Sequence, residues 1–395
     1  MDENIKGEIT DQIVGRADAY VESLLTSRSR EEVRGALHLY HEEDKLDIVI
    51  SGGGFRGQYA GGVLSVLQLL EEKGVIDIDR WAGASIGACS AASFANKIPF
   101  REFFRVPFAW QSVFRWNQFW KSHQLAREMV RVALFGNKER RERARKTLLK
   151  GKVFISITSF DGIWPKNVLV SDFEDNDEFL DAIMMSSSIP FFSMPAKSNF
   201  RGLWSLDGGL TGNTPIFVDG KTASQLVINL GYLKYSIQDS FGADENHHHL
   251  VMKGQDDILA VLEAGVKESK SGGEDVIIGK GGEVKALRLL KRGDEQQFLN
   301  SEKQRHWLLG FMEFDLSWFY YGFRSEFFTA IGCTILLLYL TDVYEIRLND
   351  EDSDNCPSSS TLQQMTVKEL RSMCIDRQIS YQGLRKGELI AVLEG

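Results

Sequence analysis

A serine framed by glycines is the first residue of this chain whose setting could support covalent chemistry. Ser85 is the centre of a G-x-S-x-G sequence, and a helical stretch of small residues, 88–92, follows it. Glycines two positions before and after the serine, Gly83 and Gly87, permit a sharp strand-to-helix turn that holds the hydroxyl exposed above helix N–H groups. The pattern predicts a nucleophile, although the motif is short and not specific by itself.

A run of glycines precedes this serine. Gly52, Gly53 and Gly54 follow a strand-like run at residues 48–50 and open a helical pattern. Unshielded N–H groups at a helix N-terminus favour negative charge, so this loop can cradle a phosphate or an oxyanion. The G-x-G-x-x-G pattern also fits a dinucleotide-binding site, but no strand of ordinary length precedes the acid that such a site needs. A tight strand-to-helix turn is the third interpretation.

A nucleophilic serine needs a base, and an aspartate is the candidate in this chain. None of the seven histidines sits on a glycine-framed turn. Asp207 instead ends the largely apolar run 203–206 and is followed by Gly208 and Gly209. Glycines let another loop approach closely, and partial burial raises a carboxyl pKa from about 3.9 toward that of a useful base. Asp207 is the predicted base, with a capping or turn aspartate as the alternative.

These three features together resemble the patatin-like phospholipase family. The resemblance covers residues 47–220 well, including a small-residue and Pro-Phe block at 182–195, and is diffuse to about 345. It implies that Ser85 is the nucleophile, that Asp207 activates it as a dyad without histidine, and that amides of Gly52, Gly53 and Gly54 form the oxyanion hole. The positions that support the family's motifs are Arg56, Gly57, Gly83, Gly87, Gly208 and Gly209.

The resemblance implies a reaction as well as a site. The expected activity is hydrolysis of fatty-acyl esters in phospholipid or acylglycerol through an acyl-enzyme, at a membrane or lipid-aggregate surface, with no metal or cofactor. An inactive hydrolase fold that tethers lipid or DNA is the alternative from another class. A dinucleotide-binding oxidoreductase is the third alternative.

Elements that could position these residues alternate along the chain. Strand-like runs at 48–50, 153–157, 168–170 and 226–230 are separated by helical segments, which predicts an α/β fold with a mostly parallel sheet covered by helices on both faces. Residues 1–46 carry apolar positions at helical spacing and are expected to pack onto a domain spanning 47–348. The triplet His247-His248-His249 is expected to be an exposed loop rather than a metal site.

Composition bounds the partners. With 46 basic and 55 acidic residues the net charge is −9, which argues against a whole surface built for nucleic acid. Nine aromatics interleaved with basic residues between 100 and 120 suit either a lipid interface or ordinary core. The apolar segment 327–340 is too short to span a bilayer. The N-terminus lacks a signal-peptide pattern and the cysteines lack CxxC pairing, so an intracellular location, cytoplasmic or nuclear, is expected.

A separate module is predicted at the C-terminus. Residues 349–360 have the acidic, apolar-poor composition of a linker. Residues 361–395 resemble a SAP domain, a helix-turn-helix-like module of two helices that commonly binds DNA. Arg385 and Lys386 are the expected contacts, but the segment's net charge of only +1 predicts weak, salt-sensitive DNA binding. A protein-interaction module is the competing interpretation.

Overall fold

The computed structural model of the chain describes residues 3–103, 119–147, 150–161, 164–188, 199–233, 245–264, 277–279 and 282–306. Its helices are α1 (Glu3–Ser27), α2 (Arg30–Ala36), α3 (Gly57–Glu72), α4 (Ile86–Ala95), α5 (Phe119–Phe135), α6 (Lys138–Thr147), α7 (Asn176–Ser186), α8 (Gly209–Gly212), α9 (Glu245–Ala264) and α10 (Glu295–His306). Its strands are β1 (Leu46–Ile50), β2 (Ile78–Ala84), β3 (Lys150–Asp161), β4 (Trp164–Asp172), β5 (Asn199–Phe200), β6 (Leu203–Asp207), β7 (Ser224–Ile228), β8 (Ile277–Gly279), β9 (Gly282–Val284) and β10 (Leu287–Lys291). Short 3-10 turns occupy Gly54–Arg56 and Leu230–Tyr232.

Eight of the described strands form one mixed sheet. Their order is β10-β7-β1-β2-β3-β6-β5, and β4 pairs with β3 outside that path. The central strands β7, β1, β2 and β3 run parallel, whereas β10, β4, β6 and β5 join through antiparallel pairs. The predicted α/β fold with a mostly parallel sheet is therefore confirmed at its centre, and antiparallel strands complete it.

Side chains of the central strands alternate between two apolar clusters. In β1, Ile48 and Ile50 belong to the larger cluster, and Val49 between them belongs to the smaller one. In β7 the middle residue of the last three, Val227, likewise belongs to the smaller cluster. Because successive side chains of a strand point to opposite faces, both faces of the sheet are covered, as parallel strands require.

Helices α1, α3 and α9 pack against one another beside the larger cluster. The buried apolar side chains that α1 contributes are Ile13, Ala17, Val21 and Leu24. At the crossing of α3 and α9, a β carbon added at Gly62 or Gly254 would collide with the backbone of the other helix. Since α3 begins directly after the glycine loop, this close packing holds the helix that positions the loop.

An ion cluster lies at the opposite end of β1 and β2 from the glycine loop. Arg80 forms salt bridges of 2.6 Å with Asp47 and with Asp219. Thr222 donates a hydrogen bond of 2.6 Å to the same Asp47 carboxylate, which is fully buried. A buried carboxylate is costly without such partners. The cluster therefore fastens the segment after α8 to the first two strands.

One expectation is wrong. His247, His248 and His249 lie in α9 rather than in a loop. The helix buries Leu250 and Val251 directly after them, so tertiary packing extends the helix backward through the polar triplet.

Several predicted features lie outside the described residues. They are the greater part of the aromatic segment 100–120, the apolar segment 327–340, the linker 349–360 and the SAP-like module 361–395 with Arg385 and Lys386. At the start of the first segment, Phe100 and Phe103 both lie in the core. Within the described part of the chain, we find no helix with the length and apolarity needed to cross a bilayer.

Candidate active site

Ser85 occupies a strained turn between β2 and α4. Its backbone angles are φ 54° and ψ −125°, a combination that residues with a β carbon rarely adopt. The two motif glycines make the turn possible by close approach. A β carbon at Gly83 would collide with the backbone of Gly87, and one at Gly87 would collide with the carbonyl of Ile50. The turn therefore packs closely against the end of β1.

Asp207 lies at the end of β6 with only 6% of its surface exposed. Its Oδ1 accepts the N–H of Gly209 at 2.7 Å, and its main-chain carbonyl accepts the Thr158 hydroxyl at 2.7 Å. Its Oδ2 is buried and has no well-aligned hydrogen-bond partner among the described residues. The carboxyl is therefore held rigidly while one oxygen remains available.

The environment of Asp207 changes its acidity. Burial raises the pKa of the carboxyl from 3.8 to about 6, although the nearby Ser85 hydroxyl and the Gly209 N–H partly oppose this shift by favouring the charged form. The structure therefore brings the two sequence-predicted residues together from positions 85 and 207. A carboxylate with this pKa is ionised at neutral pH and is still a better base than an exposed aspartate.

The glycine loop lies beside Ser85. A β carbon at Gly52 would lie 3.2 Å from the Ser85 β carbon. The Gly52 N–H donates to the side-chain oxygen of Asn213 at 3.0 Å and lies 3.3 Å from its main-chain oxygen. The N–H groups of Gly53 and Gly54 have no acceptor among the described residues. Two backbone donors of this loop are thus open.

The residues that support the family's motifs also lie in close contacts. The Arg56 guanidinium lies 3.4 Å from the Leu230 carbonyl, which links the glycine loop to the turn after β7. A β carbon at Gly57 would collide with Ile86, the residue after the serine. One at Gly208 would collide with the Ser156 carbonyl in β3. Both glycines permit backbone segments to meet at the site.

Gly209, in the turn that follows β6, lies between two polar side chains. A β carbon added there would lie 2.9 Å from Oδ1 of Asp207 and 3.0 Å from Oδ1 of Asn213. The Asp207 carboxyl and the Asn213 amide are therefore neighbours.

Sequence reasoning missed two polar residues that hold the site together. Asn213 binds the glycine loop, and Ser186, the last residue of α7, accepts the Ser85 N–H on its hydroxyl at 2.8 Å. Asn213 follows the Asp-Gly-Gly turn by a few positions, and Ser186 lies within the small-residue block, but neither has a motif of its own. Their roles depend on contacts between distant segments.

A thiol lies close to the same carboxyl. Cys89 is one turn along α4 from Ser85, and burial raises the pKa of its thiol to about 11, with the Asp207 charge adding to this effect. The thiolate is the reactive form of cysteine, and it is scarce at neutral pH when the pKa is this high. Ser85 is therefore the better placed nucleophile of the two.

Comparisons with known proteins match the part of the chain that holds this site to a family model. Residues 48–218 match the family model described as patatin-like phospholipase. The Mus musculus protein 1-acylglycerol-3-phosphate O-acyltransferase Pnpla3 is 29% identical over 191 residues, which cover 47% of this chain and 44% of that protein. The Homo sapiens protein 1-acylglycerol-3-phosphate O-acyltransferase PNPLA3 is 43% identical over 91 residues, or 23% of this chain and 18% of the relative.

A second kind of relative also matches this chain. The Homo sapiens omega-hydroxyceramide transacylase is 28% identical over 169 residues, which cover 42% of this chain and 31% of that protein. The matched region spans less than half the length of each of these relatives. The predicted family resemblance is confirmed for residues 48–218, and the SAP-like resemblance of residues 361–395 stays a prediction.

Proposed function

We propose, from the premise that residues 48–218 form a patatin-like phospholipase domain, that this chain is a lipid acyl hydrolase acting through a serine. Its substrates are fatty-acyl carboxylic esters of phospholipids or acylglycerols, met at a membrane or lipid-aggregate surface. The observation that carries the proposal is the buried Asp207 carboxyl, with its raised pKa, beside the hydroxyl of Ser85 on a strained turn.

The first half of the reaction forms an acyl-enzyme. Asp207 accepts the hydroxyl proton as Ser85 Oγ bonds to the ester carbonyl carbon. The carbonyl oxygen becomes an oxyanion, which the N–H groups of Gly53 and Gly54 stabilise. Collapse of this intermediate breaks the carbon–oxygen bond to the leaving alcohol, and Asp207 returns the proton to that oxygen.

The second half releases the fatty acid. Asp207 takes a proton from water as the water oxygen bonds to the acyl carbon. The bond to Ser85 Oγ then breaks, and Oγ recovers its proton from Asp207. No proton is gained or lost by the protein over the cycle. A pKa near 6 suits both directions of proton transfer at neutral pH.

The three N–H groups of the glycine loop have different roles in this mechanism. The Gly52 N–H is occupied by Asn213, which leaves Gly53 and Gly54 as the donors that face no competing acceptor among the described residues. Arg56 steadies the loop through the Leu230 carbonyl. In this proposal the three-glycine loop supplies two oxyanion donors, Gly53 and Gly54, and one anchor, Gly52.

Acyl transfer to a lipid hydroxyl is a second candidate function. Two relatives carry the names O-acyltransferase and transacylase. Hydrolysis and transfer share the acyl-enzyme and differ in whether water or a lipid hydroxyl attacks it. The same Ser85 and Asp207 would serve both reactions, so the partition depends on the acceptor supplied.

The test compares the full chain with Ser85→Ala and with the control Ser90→Ala. Ser90 is a buried serine in α4, the helix that follows Ser85, and its hydroxyl donates to the Ile86 carbonyl at 3.0 Å. Phospholipid, triacylglycerol and a short-chain ester are supplied with and without a monoacylglycerol acceptor, and all acyl products are quantified. We expect Ser85→Ala to lose all products and Ser90→Ala to keep them. Equal activity in Ser85→Ala would overturn the proposal.

Labelling with a fluorophosphonate distinguishes an active serine hydrolase from an inactive tethering protein. An active serine reacts with this probe, so we expect labelling of wild type and Ser90→Ala but not of Ser85→Ala. A folded wild-type protein with no Ser85-dependent labelling would favour the alternative of an inactive lipid- or DNA-tethering protein.

A further inference from the structure

The backbone N–H of Ser85 is held by a side chain from another helix. It donates to Ser186 Oγ at 2.8 Å, and the Ser186 hydroxyl in turn donates to the Ser156 carbonyl at 2.7 Å. Ser186 is fully buried. A single hydroxyl therefore bridges the nucleophile's backbone to strand β3.

The same helix end contacts the loop of the carboxyl through its main chain. The Asp207 N–H donates to the Ser188 carbonyl at 2.9 Å, and the Gly208 N–H lies 3.2 Å from the Ser186 carbonyl. Ser186 thus reaches the two halves of the candidate site by different atoms. Its side chain binds the Ser85 turn, and its carbonyl binds the turn after Asp207.

We propose that Ser186 is a positioning residue that fixes the Ser85 hydroxyl relative to Asp207 and to the Gly53 and Gly54 donors. The inference rests on the proposed function, because it assigns a role within that reaction. The strained backbone of Ser85 at φ 54° needs an external restraint to persist. The Ser186 hydroxyl provides that restraint by pairing an N–H that precedes the hydrogen-bonded turns of α4.

Removing only the hydroxyl isolates this role. Ser186→Ala keeps both main-chain contacts to the Asp207 loop, since carbonyl oxygens are unchanged by the substitution. It removes the acceptor of the Ser85 N–H and the hydroxyl donor to the Ser156 carbonyl, and an N–H that loses its partner disfavours the native arrangement. The turn is then free to shift, and a displacement of the nucleophile slows the chemical step more than it weakens substrate binding.

A matched control comes from a serine with the same bonding pattern elsewhere. Ser65 in α3 is buried, and its hydroxyl donates to the Gly62 carbonyl at 2.7 Å. The Ser65 oxygen also accepts a hydrogen bond from the Gln255 side-chain amide at 3.3 Å. Ser65→Ala therefore removes a comparable bridge without touching the site. Both variants are compared in the full chain by thermal unfolding and by steady-state kinetics on a soluble short-chain ester.

We expect Ser186→Ala to lower kcat by about ten- to a hundredfold with KM little changed, the order of effect that slight misplacement of reacting groups produces. Ser65→Ala should lower the melting temperature by a similar amount and leave kcat unchanged. The rate of fluorophosphonate labelling should fall with kcat in Ser186→Ala. Ser186→Thr, which keeps the hydroxyl, should recover the greater part of the loss.

The outcomes distinguish this inference from the proposed function. Wild-type kcat in folded Ser186→Ala, with activity still lost in Ser85→Ala, would overturn the positioning role alone. Full activity in Ser85→Ala would overturn the proposed function itself. If Ser186→Ala does not fold, Ser186→Cys keeps the side-chain shape with a weaker acceptor. An unchanged kcat in Ser186→Cys would then overturn the role, and a reduced kcat in a folded protein would support it.

Discussion

The Gly52 N–H donates to the Asn213 side-chain oxygen at 3.0 Å, and this bond joins the glycine loop after β1 to the turn after β6. The two residues are 161 positions apart in the chain. The bond uses one of the three amides that the sequence proposes for the oxyanion and orients the loop that presents the other two. Asn213 therefore belongs to the candidate site, although no sequence motif marks it.

Asn213→Ala should impair catalysis by loosening this loop. The Gly52 N–H keeps only its longer contact to the main-chain oxygen, so we expect a stability loss of about 1 kcal/mol, typical of one hydrogen bond. The value of kcat should fall as the Gly53 and Gly54 donors lose their orientation. Asn96→Ala is the control, because this buried amide donates to the Leu134 carbonyl outside the site. Equal kcat values in the two variants would argue against the role.

Activity should follow the ionisation of Asp207. The base works only as a carboxylate, and burial raises its pKa to about 6, so kcat/KM should rise with pH through about 6 and level off above it. Asn213→Asp places a second carboxyl beside the first and should move the midpoint upward, since a like charge disfavours ionisation. Rates on a soluble ester from pH 4.5 to 8.5 measure this. A midpoint near 4 in wild type would contradict the raised pKa.

Asp207→Asn should stabilise the protein at neutral pH while abolishing activity. Because the folded pKa of about 6 exceeds the unfolded value, the protonated native form is favoured. This group's contribution to stability therefore declines as pH rises from about 4 through 6. The gain from removing the charge should approach at most roughly 3 kcal/mol at pH 7.5 and vanish near pH 4. Chemical denaturation at both pH values measures it.

Asp219→Asn is the matched control for Asp207→Asn, because its stability at neutral pH should change in the opposite direction. The hydrogen bond from Arg80 holds the pKa of Asp219 at about 2, below its ordinary value. Its charge therefore stabilises the fold above the unfolded pKa, and that contribution is lost only as pH falls toward 2. Asp219→Asn should lower the melting temperature at pH 7.5. The same direction of change in both variants would contradict the assigned environments.

Ser85→Gly should be more stable than Ser85→Ala. Both variants lack the hydroxyl, but only glycine relieves the backbone strain at φ 54°. Strain of this kind costs about 1–3 kcal/mol, and the greater freedom of unfolded glycine offsets part of it, so a difference of about 1 kcal/mol is expected. Paired denaturant titrations measure the difference. Equal stabilities would indicate an unstrained turn.

Gly87→Ala should destabilise the fold severely. The added methyl would collide with the Ile50 carbonyl and lie 2.7 Å from the Ser51 carbonyl, both of them backbone atoms. We expect a loss of about 3 kcal/mol or more. Gly15→Ala in α1 is the control, because nothing lies within 4 Å of the new methyl, and helix propensity predicts a gain of up to about 1 kcal/mol. A melting temperature in Gly87→Ala equal to that of Gly15→Ala would contradict the close packing.

The fold class and the candidate site residues were predictable from the sequence, because both predictions depend on local patterns. Glycines around Ser85 and after Asp207 permit sharp turns, and alternating strand and helix runs predict a layered sheet. Family resemblance then joined the serine and the aspartate, which no local rule could do. The antiparallel strands β4, β6 and β10 were not anticipated, because strand direction follows from connections and pairing rather than from residue type.

The roles of Asn213 and Ser186 were decided by tertiary structure alone. Each makes its hydrogen bond across a separation of 161 or 101 residues, and a polar side chain in a short motif-free segment carries no signal of so distant a partner. The same holds for the acidity of Asp207, since its pKa near 6 arises from burial by other segments. The sequence by itself determined which residues could react and where the chain could turn. Only the fold decided which amides stay open, how basic the carboxyl is and what restrains the serine, because those properties depend on contacts between distant parts of the chain.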